Sequence, residues 1–222
     1  MSDRQLILHD YVLSASCYKV RLMAALLGQK LTLRAVDFHP GREQRSLAFR
    51  ALNPAGTLPV LQDGPLTLTE STAMLVYLVR LSGARDWLGE GTAASAAEVQ
   101  GWLAFSARLG ASLGMARLHD MLHYPADIDA VRAAGQHCLR ELEAALTEAR
   151  LHGRRFLVGD IPTIADIACF PNVALAPDGG VGLEDYPAIR LWMRAIRSFE
   201  RFIEMPGIHR LHDLKPDPAV AR

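Results

Sequence analysis

The period of apolar and polar positions changes once along this chain, and the change divides it in two. Residues 5–9 are a short apolar run that predicts a buried strand. A Ser-bearing turn follows, after which Val20, Met23, Ala24 and Leu27 recur at helical spacing. Residues 31–36 predict a second strand, and a polar loop over 39–44 leads to a short helix. That helix ends near Asn53, because Pro54 disfavours helical backbone at the residue before it. Residues 60–62 and 66–69 flank Asp63-Gly64, a hairpin turn pair, and Met74, Tyr77, Leu78 and Leu81 return to helical period. The predicted order for this half is βαβαββα.

Residues 82–96 shift to Gly, Ala, Ser and Thr, a composition that suits a linker. Beyond it every stripe is helical: Val99, Trp102, Leu103, Leu109 and Leu113; Val131, Cys138, Leu142 and Leu146; Ile164, Ile167 and Ala168; Ile189, Trp192, Met193 and Ile196. Thr163 to Asp166 has the spacing of a capping box, in which the Asp reaches back to the N-cap amide. The predicted organisation is therefore an α/β unit over 1–82, a linker over 83–92 and an all-α unit over 93–212. The polar, Pro-bearing residues 213–222 predict a disordered tail.

Composition narrows the function. The 222 residues hold 24 Lys plus Arg against 24 Asp plus Glu, so no net charge favours nucleic acid or an anionic membrane. Binding must come from a local site. Three cysteines, Cys17, Cys138 and Cys169, are too few and too scattered for a disulfide framework or a four-ligand zinc site, and they point to the cytoplasm. No apolar run approaches a membrane span, and the N-terminus lacks a secretory pattern.

Three short segments carry chemistry. Ser14, Ser16 and Cys17 lie on the turn from strand to helix, where unpaired helix amides favour an anion. Serine caps helices in any protein and buried cysteine is common, so each residue alone reads first as structural. Gly56 to Val60 brings a proline into a strand, where it removes a ladder hydrogen bond. Glu70 and Ser71 place a carboxylate and a hydroxyl at another helix start. Their joint arrangement in one small α/β unit is what singles them out.

In SASCYKVRL, NPAGTLPVL, LTLTESTAMLVYL and TIADIACFP the chain resembles the cytosolic glutathione S-transferases, of a bacterial, serine-type kind like the theta, delta or beta classes. The resemblance implies a thioredoxin-like N-terminal domain followed by an all-α helical bundle, and a homodimer. It implies that Ser14 donates to the glutathione sulfur, with Ser16 and then Tyr11 as the next candidates. It also implies that Pro59 is cis, that the Leu58 backbone beside Thr57 pairs with the cysteinyl backbone, and that Glu70 and Ser71 take the γ-glutamyl ammonium and carboxylate. Thr57 stands where many relatives carry Lys or Gln, which leaves His39, Arg42 or Gln44 for the glycyl carboxylate. Met115, His119 and Tyr124, with Arg108, are the expected substrate pocket.

The implied reaction is attack by the glutathione thiolate, the co-substrate's reactive form, on a small, largely apolar electrophile. A free thiol near pKa 8.5 is about 3% ionised at pH 7, and a shift of two units needs about 2.7 kcal/mol. One hydroxyl donor and a helix start supply that sum without a metal. Competing readings are an isomerase, for which the Ser14-Ala15-Ser16 run lacks a cysteine, and a reductase, for which position 14 lacks one. A non-catalytic adaptor on the same fold is the alternative from another class. His119 and His123, like His209 and His212, have helical spacing for a metal but no motif supplies a further ligand.

Overall fold

The apolar runs of the first half assemble into a four-stranded mixed sheet of order β2-β1-β3-β4. In the computed structural model, which describes residues 5–205, these strands are β1 Leu6–Asp10, β2 Leu31–Ala35, β3 Val60–Asp63 and β4 Leu66–Leu68. β2 runs parallel to β1, β3 antiparallel to β1, and β4 antiparallel to β3. The helices α1 Ala15–Leu26, α2 Leu47–Leu52 and α3 Ser71–Ser82 complete the predicted βαβαββα order. The tail prediction and the His209/His212 pair lie outside the described residues.

The hairpin differs from its prediction by one position. Asp63 still pairs with Leu66, so the turn is Gly64-Pro65 rather than Asp63-Gly64. Pro65 has no amide to give a ladder and Gly64 adopts φ +55°, so both belong in the loop. Asp63 meanwhile accepts a hydrogen bond from the Tyr77 hydroxyl of α3.

After Gly83 and a short turn over Arg85–Leu88 the chain is helical: α4 Ala93–Leu109, α5 Met115–Leu122, α6 Ile128–Leu151, α7 Ile164–Ala174 and α8 Pro187–Arg197. Among the described residues this half has five helices where the stripes predicted four, because the apolar stripe of α4 runs on through a π-helical turn, Gly110–Gly114, toward α5. Every residue of α7 is buried, and the helix packs on α4 and on α1, which joins the two halves through one core. Its start is the predicted capping box: Asp166 Oδ2 accepts from the Thr163 amide at 2.8 Å. Among the described residues no helix is long and apolar enough to cross a membrane.

One residue at the α1–α7 contact opposes the packing. Lys19 is 4% exposed, and burial lowers its pKa from 10.5 to about 8. Between those pH values the unfolded chain holds more protons than the folded one, so stability rises with pH; below about 8 the penalty is present in full. Lys19→Met is expected to stabilise the protein by up to roughly 3 kcal/mol at pH 7 and to lose that advantage toward pH 10.5. Thermal unfolding at both pH values checks it, and equal melting temperatures at pH 7 would show the ammonium to be compensated.

Candidate functional site

Sheet register brings the three singled-out segments to one edge. His9, near the end of β1, pairs with Val60 at the start of β3, and Leu61 pairs with Leu68 at the end of β4. The turn to Ser14, the Leu58-Pro59 segment and the Glu70-Ser71 helix start therefore all emerge at that edge, with Phe38 after β2 beside them. The Leu58-Pro59 peptide is cis.

Ser14 is the N-cap of α1, and its Oγ accepts from the Cys17 amide at 3.2 Å. With that lone pair engaged, its hydroxyl proton is the group free to be donated outward. Two arginines hold the preceding backbone: Arg21 Nη2 donates to the Val12 carbonyl at 2.9 Å and Arg117 Nη1 to the Leu13 carbonyl at 2.6 Å. Arg21 also lies 3.4 Å from Asp10. The turn is thus fixed before any ligand arrives. Cys17 points the other way, fully buried, its sulfur accepting from the Tyr11 amide and its pKa pushed by burial up to about 12. A thiol held protonated in this way is not a nucleophile.

Asn53 shapes the loop before β3. Its Nδ2 donates to the Thr57 carbonyl and hydroxyl at 2.8 and 2.9 Å, and its Oδ1 accepts from Ala55. Gly56 adopts φ +63°, and a Cβ there would sit 2.8 Å from the Gln44 carbonyl oxygen, so glycine is required on both counts. Across the edge, Glu70 is the exposed N-cap of α3 and makes no side-chain capping bond, while Ser71 opens the helix.

Between this edge and the helical half lies a cavity of about 560 Å³. Tyr11, Ser14, Ser16, Thr57 and Leu58 line it from the α/β half, and the π-helical turn, α5 and Asn172 of α7 from the helical half. Three aromatic rings in contact line it: Phe38 lies 5.2 Å from Tyr11 and stacks on Tyr124 at 6.3 Å, with an interplanar angle of 6°. The apolar remainder includes Leu113, Leu118, Met121 and Leu175. Arg45, Arg50 and Arg117 line it as well, and among the described residues no Asp or Glu does.

Of the residues singled out in the sequence, Tyr11, Ser14, Ser16, Thr57, Leu58 and Tyr124 line this cavity, and Gln44 does too. Pro59, Glu70 and Ser71 lie at the same sheet edge without lining it. Met115 and His119 are not in the wall; His119 Nδ1 instead bonds the Tyr124 carbonyl at 2.9 Å and so fixes the residue that is. His123 caps α5 in the left-handed conformation, exposed. Arg108 faces Glu141 at 2.7 Å on the surface, and His39 and Arg42 are exposed away from the wall. Among the described residues no group of three or more His, Cys, Asp or Glu could hold a metal.

Sequence reasoning did not find Arg45, Arg50, Arg117, Asn172 or Phe38. Arg45 directly follows the 39–44 loop and Arg50 lies in α2, so the cations next to that loop were the local signal for them. Arg117 has no local signal, since its partners Leu13 and Asp178 are 104 and 61 residues away.

Residues 8–86 match the family model for the glutathione S-transferase N-terminal domain, and residues 125–195 the model for the C-terminal domain. Glutathione S-transferase 2 of Anopheles gambiae is 33% identical over 181 residues, covering 81% of this chain and 84% of that one. Elongation factor 1-gamma of Trypanosoma cruzi is 33% identical over 156 residues, 70% of this chain but 36% of that protein. Among solved structures, a glutathione S-transferase from Pseudomonas fluorescens Pf-5 superposes with a TM-score of 0.80 at 28% identity, covering 90% of this chain and 98% of that one.

Proposed function

We propose, since this chain belongs to the glutathione S-transferase family, that it binds glutathione along the sheet edge and directs its thiolate at a small electrophile in the cavity. The observation that carries this reading is the N-cap geometry of Ser14, whose hydroxyl proton is free at a helix start that opens into the cavity. Sulfur at that point gains one hydroxyl donor and the unpaired first-turn amides. In the reaction the carbon–sulfur bond forms with the sulfur electron pair, the electrophile's leaving group departs with its bonding pair, and the thiol proton passes to solvent.

The rest of the tripeptide follows the same edge. Leu58 offers backbone groups to the cysteinyl unit. Glu70 takes the γ-glutamyl ammonium, and Ser71 with the α3 amides takes the neighbouring carboxylate. Arg45 and Arg50 supply the cation for the glycyl carboxylate that position 57 lacks.

The test is turnover of 1-chloro-2,4-dinitrobenzene with glutathione. Glu70→Ala is expected to raise the KM for glutathione about 10-fold while leaving kcat within a few-fold, because the ion pair forms away from the sulfur. A fall in kcat with KM unchanged would place Glu70 in another role. The elongation factor relative supports a second reading, a non-catalytic binding protein on the same fold. Retention on glutathione resin without turnover of any electrophile would favour it.

A further inference from the structure

Arg117 is 6% exposed and has three guanidinium nitrogens to satisfy. Nη1 donates to the Leu13 carbonyl at 2.6 Å and Nε to Asp178 Oδ2 at 3.1 Å. Nη2 is buried with no hydrogen-bond partner among the described residues. Burying a donor without an acceptor is unfavourable, and a guanidinium presents its N–H groups in a fixed plane suited to carboxylate oxygens. The residue lines the cavity beside the turn that carries Ser14.

A second buried polar side chain lines the same cavity. Asn172 is 4% exposed and lines the cavity from α7. Its amide lies over the π-helical turn, where a Cβ at Gly114 would come within 3.1 Å of Oδ1. The glycines of that turn leave room for it. Around both, Leu113, Leu118 and Leu175 are apolar, which strengthens a charge-assisted hydrogen bond made there.

We propose that Arg117 and Asn172 form an anion-accepting subsite for the second substrate, and that this substrate is an apolar electrophile bearing a carboxylate. The proposal rests on the transferase reading and sharpens it, since an apolar pocket alone would select no charge. A guanidinium N–H with no acceptor among the described residues favours a carboxylate over a neutral group, and among those residues no acid lines the cavity to compete for it. Asp178 meets only the Nε side of Arg117 and does not line it. Arg45 and Arg50 come from the α/β half with the Thr57 loop, where they serve the glycyl carboxylate, which leaves Arg117 of α5 for the second molecule.

The experiment uses the full chain saturated with S-methylglutathione, which cannot react, and compares binding of 3-nitrobenzoate with that of its methyl ester by calorimetry. The acid is expected to bind about 10-fold or more tighter, an advantage removed by Arg117→Met, reduced by Asn172→Leu and kept by Arg45→Gln with Arg50→Gln. Turnover gives the same contrast: 4-chloro-3-nitrobenzoate should exceed its methyl ester in kcat/KM once each is divided by its uncatalysed rate. Equal binding of acid and ester by the wild-type protein overturns the proposal, as does a preference that follows Arg45 and Arg50 instead. Should Arg117→Met fail to fold, the wild-type comparison and Asn172→Leu still decide. Failure of S-methylglutathione to bind would instead sink the transferase reading, with the acid preference still measurable in its absence.

Discussion

Ser14→Ala is expected to lower kcat/KM for glutathione conjugation about 10- to 100-fold at pH 7, because a hydrogen bond to a charged sulfur contributes roughly 1.5–3 kcal/mol. The loss should take a defined form. If the hydroxyl acts by stabilising thiolate, the apparent pKa of the rate profile rises by about one to two units, and the variant approaches the wild type above the new pKa. Cys17 cannot take over the role, since burial holds its thiol near 12. The variant also loses the capping bond to the Cys17 amide, worth about 1 kcal/mol, so the profile belongs well below its melting temperature. Retention of both rate and pKa would turn attention to Ser16→Ala and then Tyr11→Phe, both of which line the same cavity.

The largest stability effect is expected at Asp166. Its carboxylate is fully buried and accepts from the Leu157 and Thr163 amides, the Thr163 hydroxyl and the Trp192 indole at 2.8 to 3.3 Å. Burial raises its pKa, and the Thr163 amide and Trp192 indole oppose that rise. Asp166→Ala would strand those donors in the core and is expected to destabilise the protein by roughly 3–5 kcal/mol, a large part of the total for a domain. At about 2–4 °C per kcal/mol for a chain of this size, the melting temperature should fall by about 6–20 °C. A drop of only one or two degrees would mean that water or a shifted loop replaces the carboxylate. Asp166→Asn retains one acceptor oxygen and is expected to fall between the two.

The two sites differ in how far they can be read along the chain. Thr163 and Asp166 are three residues apart, and a capping box is closed by backbone geometry within one helical turn, so its partners are legible locally. Trp192 is not, because it reaches Asp166 from another helix. Ser14 likewise reads as a helix start from its neighbours alone, while its facing cavity depends on α5 and α7. The hairpin turn was displaced by one residue because Asp-Gly and Gly-Pro both carry turn signals, and only the pairing of Asp63 with Leu66 selects between them. The fifth helix stayed hidden because a π-helical turn interrupts hydrogen bonding without interrupting the apolar stripe.

By itself the sequence determined the element order of the α/β half, that helices follow it, the helix starts at Ser14 and Ser71, and the box at Thr163. These follow from periodicity and from side chains that act within about one turn of their own backbone. Tertiary structure alone decided which helix starts share an edge, that Arg117 holds the Leu13 carbonyl, and that three arginines and no acid face one cavity among the described residues. The reason is physical. Burial, desolvation and the sign of charge at a point depend on atoms brought together from distant parts of the chain, and no local pattern encodes which they will be.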